Sequence, residues 1–270
     1  SVGAIIGAGI FVVTGIAAGL AGSALLVSMV IAAIICLFTA LSFSELTAWQ
    51  PKEGSVYEYA YQLISPFAGF LTGWMWIVSN TFAGAAVSLG FAHYLTALFP
   101  HLPTFYILNL AIAPANYVAA IICIAFTTLN YLGVRQSALV NNILVTAKLL
   151  ILAFFIILGS FYINSSNFTP FMPTQIGVFY GASYIFFAYG GFARVAVVAE
   201  EVKDARRNVP RAILLSLAIS TIVYMLVGFV AVGLIGATQL ADSNSPLKDA
   251  IGKTGNTAAV YAVSAGGLLA

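Results

Sequence analysis

The chain has 270 residues, of which 61% are hydrophobic and only 7% charged. Soluble domains carry about a quarter charged residues, so a mean hydropathy of +1.03 marks a chain solvated mainly by lipid. The formal net charge of +2 comes from scattered basic residues, which points away from nucleic acid as a partner. Cys36 and Cys123 fall inside apolar runs without paired spacing or a nearby His. They read as small buried hydrophobes, not as a disulfide or metal site. With no basic segment before it in this sequence and further spans after it, the first apolar run is expected to be a membrane span and not a signal peptide. Both ends stop inside apolar sequence, and the chain is expected to be a piece of a longer protein.

A membrane-crossing helix needs about 20 apolar residues. Seven such segments are expected, with the start of an eighth. The first runs from Val2 to Leu20 and ends at Gly19 and Gly22; the second covers Ala24 to Thr47. The polar link from Trp49 to Ser55 leads into Val56–Leu63, a short helix outside the membrane. The third segment spans Phe67 to Phe99 and is stopped by Pro100 and Pro103; the fourth covers Asn116 to Leu132. The chain turns at Gly133-Val134-Arg135-Gln136, and the fifth segment runs from Leu139 to Tyr162. A polar loop, Asn164 to Thr174, precedes the sixth, Ile176 to Ala199. The run from Glu200 to Pro210 is the most charged in the chain and is expected to be a solvated loop, with a share in an inner gate. The seventh segment covers Ala212 to Ala237, and the eighth begins near Thr257 and reaches Ala270, giving one transmembrane domain over residues 1–270.

Basic residues set orientation. With the N-terminus inside, the inner connections hold Lys52, Arg135, Lys203, Arg206, Arg207 and Arg211, and the outer ones hold Lys248 and Lys253. The N-terminus is therefore expected to be cytoplasmic, in a multi-pass protein of the cell membrane. Asn-x-Ser/Thr matches at Asn164 and Asn167 fall in a predicted outer loop and are most simply chance.

Gly7-Ala8-Gly9 lies inside the first segment. Each Gly costs roughly 1 kcal/mol against Ala in a helix, and backbone freed in a membrane must face protein or a cavity. Unwinding here would present N–H groups at the start of a half-helix, which suits a carboxylate, and carbonyls that suit an ammonium. One broken helix thus offers both poles for a zwitterion. Packing of small residues is the equal alternative for this stretch alone. A second weak point, Ala188-Tyr189-Gly190-Gly191, follows Tyr184, Phe186 and Phe187. Two matched interruptions point to a transporter's substrate site.

Lys148 lies near the middle of the fifth segment, where an ammonium is expensive and by default functional. A lysine in a dry site can exchange its proton or stand in for a metal cation. Arg194 follows the second weak point by three residues. It is expected to line the inner half of a pathway, to contact an anionic substrate, or to pair with a carboxylate, for which Glu45 is the suggested partner. His93 and His101 are isolated, and no His-Glu-x-x-His, Gly-x-Ser-x-Gly or phosphate-loop motif is present. No enzyme activity, cofactor or metal is implied.

Several motifs are then recognisable. Ile5-Ile6-Gly7-Ala8-Gly9-Ile10-Phe11 resembles the first-helix signature of the amino acid–polyamine–organocation (APC) superfamily of permeases. Ala40 to Leu46 and Pro51 to Tyr59 resemble its link between helices two and three. Asn130 to Arg135 and Asn142 to Leu150 are similar to its helices four and five, and Phe186 to Phe192, Ala199-Glu200-Glu201 and Arg207 to Ile213 to helix six and its loop. The resemblance implies an all-α, LeuT-like fold of two inverted five-helix repeats with helices one and six broken, this chain holding helices one to seven and part of eight. It implies substrate binding by the backbone of Ile6, Gly7, Ala8, Gly9 and Ile10, completed by Phe187, Ala188, Tyr189, Gly190 and Gly191. Phe187 falls at an aromatic outer gate, and Lys148 where sodium-independent members place a lysine. Many members carry an acidic residue after Gly-Phe in helix six; here Ala193 and Arg194 follow, which argues against a cationic substrate.

The expected function is secondary transport of amino acids by alternating access, as a proton-coupled symporter. An exchanger of the same fold is the alternative, and a membrane sensor or channel a remote one. The partners are the amino acid, protons and the bilayer, with the oligomeric state open. A piece lacking most of the second repeat is expected not to transport alone.

Overall fold

The computed structural model describes residues 2–52, 54–99, 101–107, 110–131, 138–172, 174–197, 199 and 202–270. Expectations that fall on Glu53, Pro100, Leu132, the turn Gly133-Val134-Arg135-Gln136, and Glu200 and Glu201 lie outside the described residues.

The architecture is helical. The first segment is two helices, α1 (Val2–Ile5) and α2 (Ala8–Ala21), separated at Ile6 and Gly7. A 3-10 turn at Gly22–Ala24, where Gly22 takes φ 62°, leads into α3 (Leu25–Trp49). Helix α4 (Ser55–Leu63) follows, and α5 (Pro66–Leu98) begins where the Ser65 side chain accepts from the Ala68 N–H at 3.1 Å, with Pro66 at the first helical position. The connection after α5 holds a feature the sequence did not announce, an antiparallel hairpin of β1 (Phe105–Ile107) and β2 (Leu110–Ile112). Then come α6 (Pro114–Tyr131), α7 (Ala138–Ser160), α8 (Gln175–Tyr189) with a 3-10 segment at Gly190–Ala193, and the short α9 (Arg194–Val197). Helices α10 (Ala205–Ala241), α11 (Pro246–Gly252) and α12 (Thr257–Leu269) complete the described chain.

Five helical stretches are long and apolar enough to cross a membrane: Ala8–Trp49, Pro66–Leu98, Asn142–Ser160, Gln175–Ala193 and Ala205–Ala241. The first of them contains the Gly22–Ala24 turn, and Pro114–Leu129 and Thr257–Leu269 are shorter apolar helices.

The core lies where α2, α3, α8 and α10 meet, with Phe11, Met29, Ile185, Tyr189 and Tyr224 fully buried. Small residues let α8 approach α2. A Cβ on Gly181 would come within 3.3 Å of the Ala17 carbonyl oxygen, and one on Gly177 within 2.1 Å of that of Leu20. A polar group stitches α8 to α3 as well, since Ser28 Oγ donates to the Val178 carbonyl at 2.8 Å. On the other side of the bundle α5 packs along α4 and α6, and Tyr94 reaches from α5 to donate to the Phe11 carbonyl at 2.8 Å.

Several expectations are corrected. The charged run is helical from Ala205 onward, so α10 begins seven residues before Ala212, with Pro210 inside it. Its far end breaks at Gly236 (φ 78°), whose positive φ suits glycine. Cys36 is buried, but Cys123 is exposed, because α6 buries only the face of Ala115, Val118 and Ala119. Asp204, Arg206 and Arg207 line one cleft with Pro51, while Lys248 Nζ donates to the Ala97 carbonyl near the end of α5.

Candidate functional site

The two interruptions lie side by side and both line one cavity of about 520 Å³. They are built differently. At the first, Gly7 is extended (φ −134°, ψ −155°), and α2 starts at Ala8 with no side-chain cap. The first N–H groups of a helix have no intrahelical partner, so this terminus offers donors and partial positive charge to the cavity. The second is a tightening: α8 passes at Gly190 into the 3-10 segment, and φ and ψ stay right-handed through Arg194 (φ −64°, ψ −22°). The backbone expected to be unwound there is wound more tightly.

Close packing holds the breaks together. A Cβ on Gly9 would lie 2.7 Å from the Ala188 Cβ, so Gly9 serves contact between α2 and α8, while the chain actually opens at Gly7. A Cβ on Gly191 would lie 1.9 Å from the Ala4 carbonyl oxygen, so the second break rests directly on the backbone of α1. Gly190 has nothing within 4 Å of its Cβ position and opens into the cavity.

The expected site residues divide into two groups. Gly7, Ala8, Gly9, Phe187, Ala188, Gly190 and Gly191 line the cavity. Ile6 and Ile10 are buried in the core and contribute no lining, leaving only their backbone for such a role. Tyr189 is also turned away, with its ring 5.0 Å from that of Tyr224. Arg194 lines the cavity and is exposed. Among the described residues the ion pairs are Lys52–Glu58 and Lys248–Asp249, so the suggested Glu45–Arg194 pair does not form. Both side chains are exposed, where pairing is worth little.

Lys148 does not line the cavity; it lies behind α1. Its side chain is buried, and Nζ donates to the Gly3 carbonyl at 3.1 Å. Helix α7 presses on α1 at the same place, since a Cβ on Gly3 would lie 2.2 Å from Val145 Cγ2.

The sequence reading missed several participants. Helix α5 contributes Trp76, Ser79 and Asn80 to the lining, and α3 contributes Thr39 and Phe43, whose ring meets that of Phe192 edge to face at 5.8 Å. A polar pair such as Ser79-Asn80 in the middle of an apolar helix was the available signal. Tyr224 was hidden altogether. Fully buried on α10, its hydroxyl lies 2.7 Å from the Ile5 carbonyl and 3.1 Å from that of Ala188.

This is a predominantly helical, multi-pass membrane protein with two interrupted helices packed around a shared cavity. The family profile described as "Amino acid permease" matches residues 1–270, and the chain belongs to that family. It is 39% identical over 260 residues to the branched-chain amino acid permease BcaP of Bacillus subtilis, across 91% of this chain and 55% of that protein. It is 35% identical over 277 residues to a methylthioribose transporter of the same organism, across 99% of this chain and 60% of that one. The cationic amino acid transporter 3, mitochondrial, of Arabidopsis thaliana is 32% identical over 286 residues, across 100% of this chain and 46% of its own length. The chain thus spans between 46% and 60% of the length of these relatives, which are transporters by name and not enzymes.

Proposed function

We propose that this chain builds the substrate site of a secondary transporter that moves amino acids across the cell membrane by alternating access. The observation that carries the reading is the pair of adjoining breaks. The uncapped start of α2 at Ala8 supplies N–H donors for a carboxylate, and carbonyls near Ile5 supply acceptors for an ammonium. Phe187, half-exposed over this site, is the gate in this reading, and Arg194 stands at the rim beyond Gly191. The reading takes the N-terminus as cytoplasmic and the chain as one domain of a LeuT-like inverted repeat.

Coupling is assigned to protons. In this proposal Lys148 holds α1 through Gly3 more strongly while its ammonium is charged, so losing or regaining a proton changes the grip on one half of the first broken helix. Exchange without net proton movement uses the same contacts and is the second reading. The methylthioribose relative shows that a related chain can carry a name outside amino acids, so the substrate class itself is open to test.

The experiment is uptake of labelled amino acids by the full-length protein in liposomes. Net uptake down an inward proton gradient, without internal amino acid, is expected and excludes obligate exchange. Lys148→Ala is expected to slow uptake and flatten its pH dependence. Unchanged rate and pH dependence in that variant would remove Lys148 from the coupling.

A further inference from the structure

We infer that the substrate's side chain is uncharged and apolar, and that it lies in a second lobe of the cavity between α2, α5 and α8. The inference rests on the proposal that the headgroup binds at the two breaks. A second cavity of about 600 Å³ adjoins the first. The two are continuous in their walls: Ala8, Gly9, Ser79, Val87, Ser183 and Phe187 line both. Each volume falls within the ~300–1,000 Å³ typical of small-molecule sites.

The second lobe starts at the end of α2 that would hold the carboxylate. Along α2 it follows Ala8, Val12 and Ile16, residues four apart on one face of the helix. That is about 12 Å of helix at roughly 1.5 Å per residue, room for any natural side chain. Phe82 and Ala86 of α5 and Tyr184 of α8 face it from the other helices. Among the described residues its polar lining is confined to Ser79, Ser183 and the Tyr184 hydroxyl, and no charged side chain lines it.

That lining decides between substrate classes. A lysine or arginine side chain placed there would lie against apolar walls and meet no carboxylate among the described residues. Glutamate would need a cation, and among the described residues the one cationic group in the lining of either lobe is Arg194, which belongs to the other cavity beyond the second break. A branched aliphatic or aromatic side chain meets only groups like itself. A pocket of this kind discriminates by size, a methylene being worth about 10- to 200-fold.

The test is competition for uptake by the full-length protein in liposomes, with alanine, leucine, phenylalanine, lysine and glutamate as competitors. Leucine and phenylalanine are expected to compete at least tenfold better than alanine, and lysine and glutamate not to compete. Lysine or glutamate matching leucine overturns the inference while leaving amino acid transport intact. If no amino acid competes or is taken up, the underlying headgroup site fails instead. Ala86→Phe, on an exposed face of α5, fills the lobe. It is expected to reduce phenylalanine and leucine competition about tenfold and to spare alanine, which also shows the variant folded. Equal losses for alanine and phenylalanine overturn the placement of the side chain.

Discussion

The hydroxyl of Tyr224 lies 2.7 Å from the carbonyl oxygen of Ile5, the last residue of α1 before the chain opens. The same hydroxyl is 3.1 Å from the Ala188 carbonyl, next to the second break. One hydroxyl thus reaches carbonyls of both interrupted helices, and it does so from a third helix. Tyr224→Phe keeps the ring against Tyr189 and removes this link. The loss is expected to cost about 1–3 kcal/mol, the penalty for stranding a buried acceptor. Thermal unfolding in detergent should show a lower midpoint, and amino acid uptake should fall further than expression does. Wild-type uptake in this variant would mean the breaks hold their geometry without the hydroxyl.

The glycine pair at the second break gives an internal control. Gly191→Ala places a methyl group 1.9 Å from the Ala4 carbonyl oxygen, whereas Gly190→Ala meets nothing within 4 Å. Overpacking of this kind costs about 1–3 kcal/mol or more, while an unobstructed substitution stays within about 0.5 kcal/mol. Fluorescence-detected size exclusion across a temperature ramp should separate the two variants. Similar midpoints would show that α1 and the 3-10 segment are not pressed together as described.

The link between α3 and α5 makes a pH-dependent contact. The Lys52 ammonium, 2.9 Å from Glu58 Oε1, holds the Glu58 carboxyl below the ordinary carboxylate range, helped by a hydrogen bond from Gln62. A carboxyl with a lowered folded pKa contributes stability above its unfolded value and loses it as pH falls through the folded one. The difference in unfolding midpoint between wild type and Glu58→Gln should therefore be constant from about pH 6 to 8 and shrink as the pH falls below the ordinary carboxylate value of about 4.3. The difference should also be small, because exposed pairs contribute little. A gap that widens on acidification would contradict this assignment.

Much of this architecture was legible in composition and spacing. The apolar runs announced the long helices, and Gly7-Ala8-Gly9 announced an opening in the first. What spacing could not do was divide labour between the two glycines. Gly7 opens the chain, and Gly9 admits Ala188, a distinction visible only once α8 is in place. Helix α10 starts early because the charges of Arg206 and Arg207 are at home on the exposed face of a helix that emerges from the bundle. Tyr224 escaped because one tyrosine in an apolar run carries no period and no motif. Its role depends on partners 219 and 36 residues away in sequence.

The central claim is that the two breaks recognise both charged groups of an amino acid. Competition by blocked derivatives tests it most directly: labelled leucine uptake by the full-length protein, challenged with leucine, leucine methyl ester and N-acetyl-leucine. The account predicts that free leucine competes and that both derivatives lose at least tenfold, since each removes one of the charges the breaks are placed to meet. Derivatives that compete as well as leucine would show that the substrate is held by its side chain alone, and would contradict the site proposed at Gly7 and Gly190.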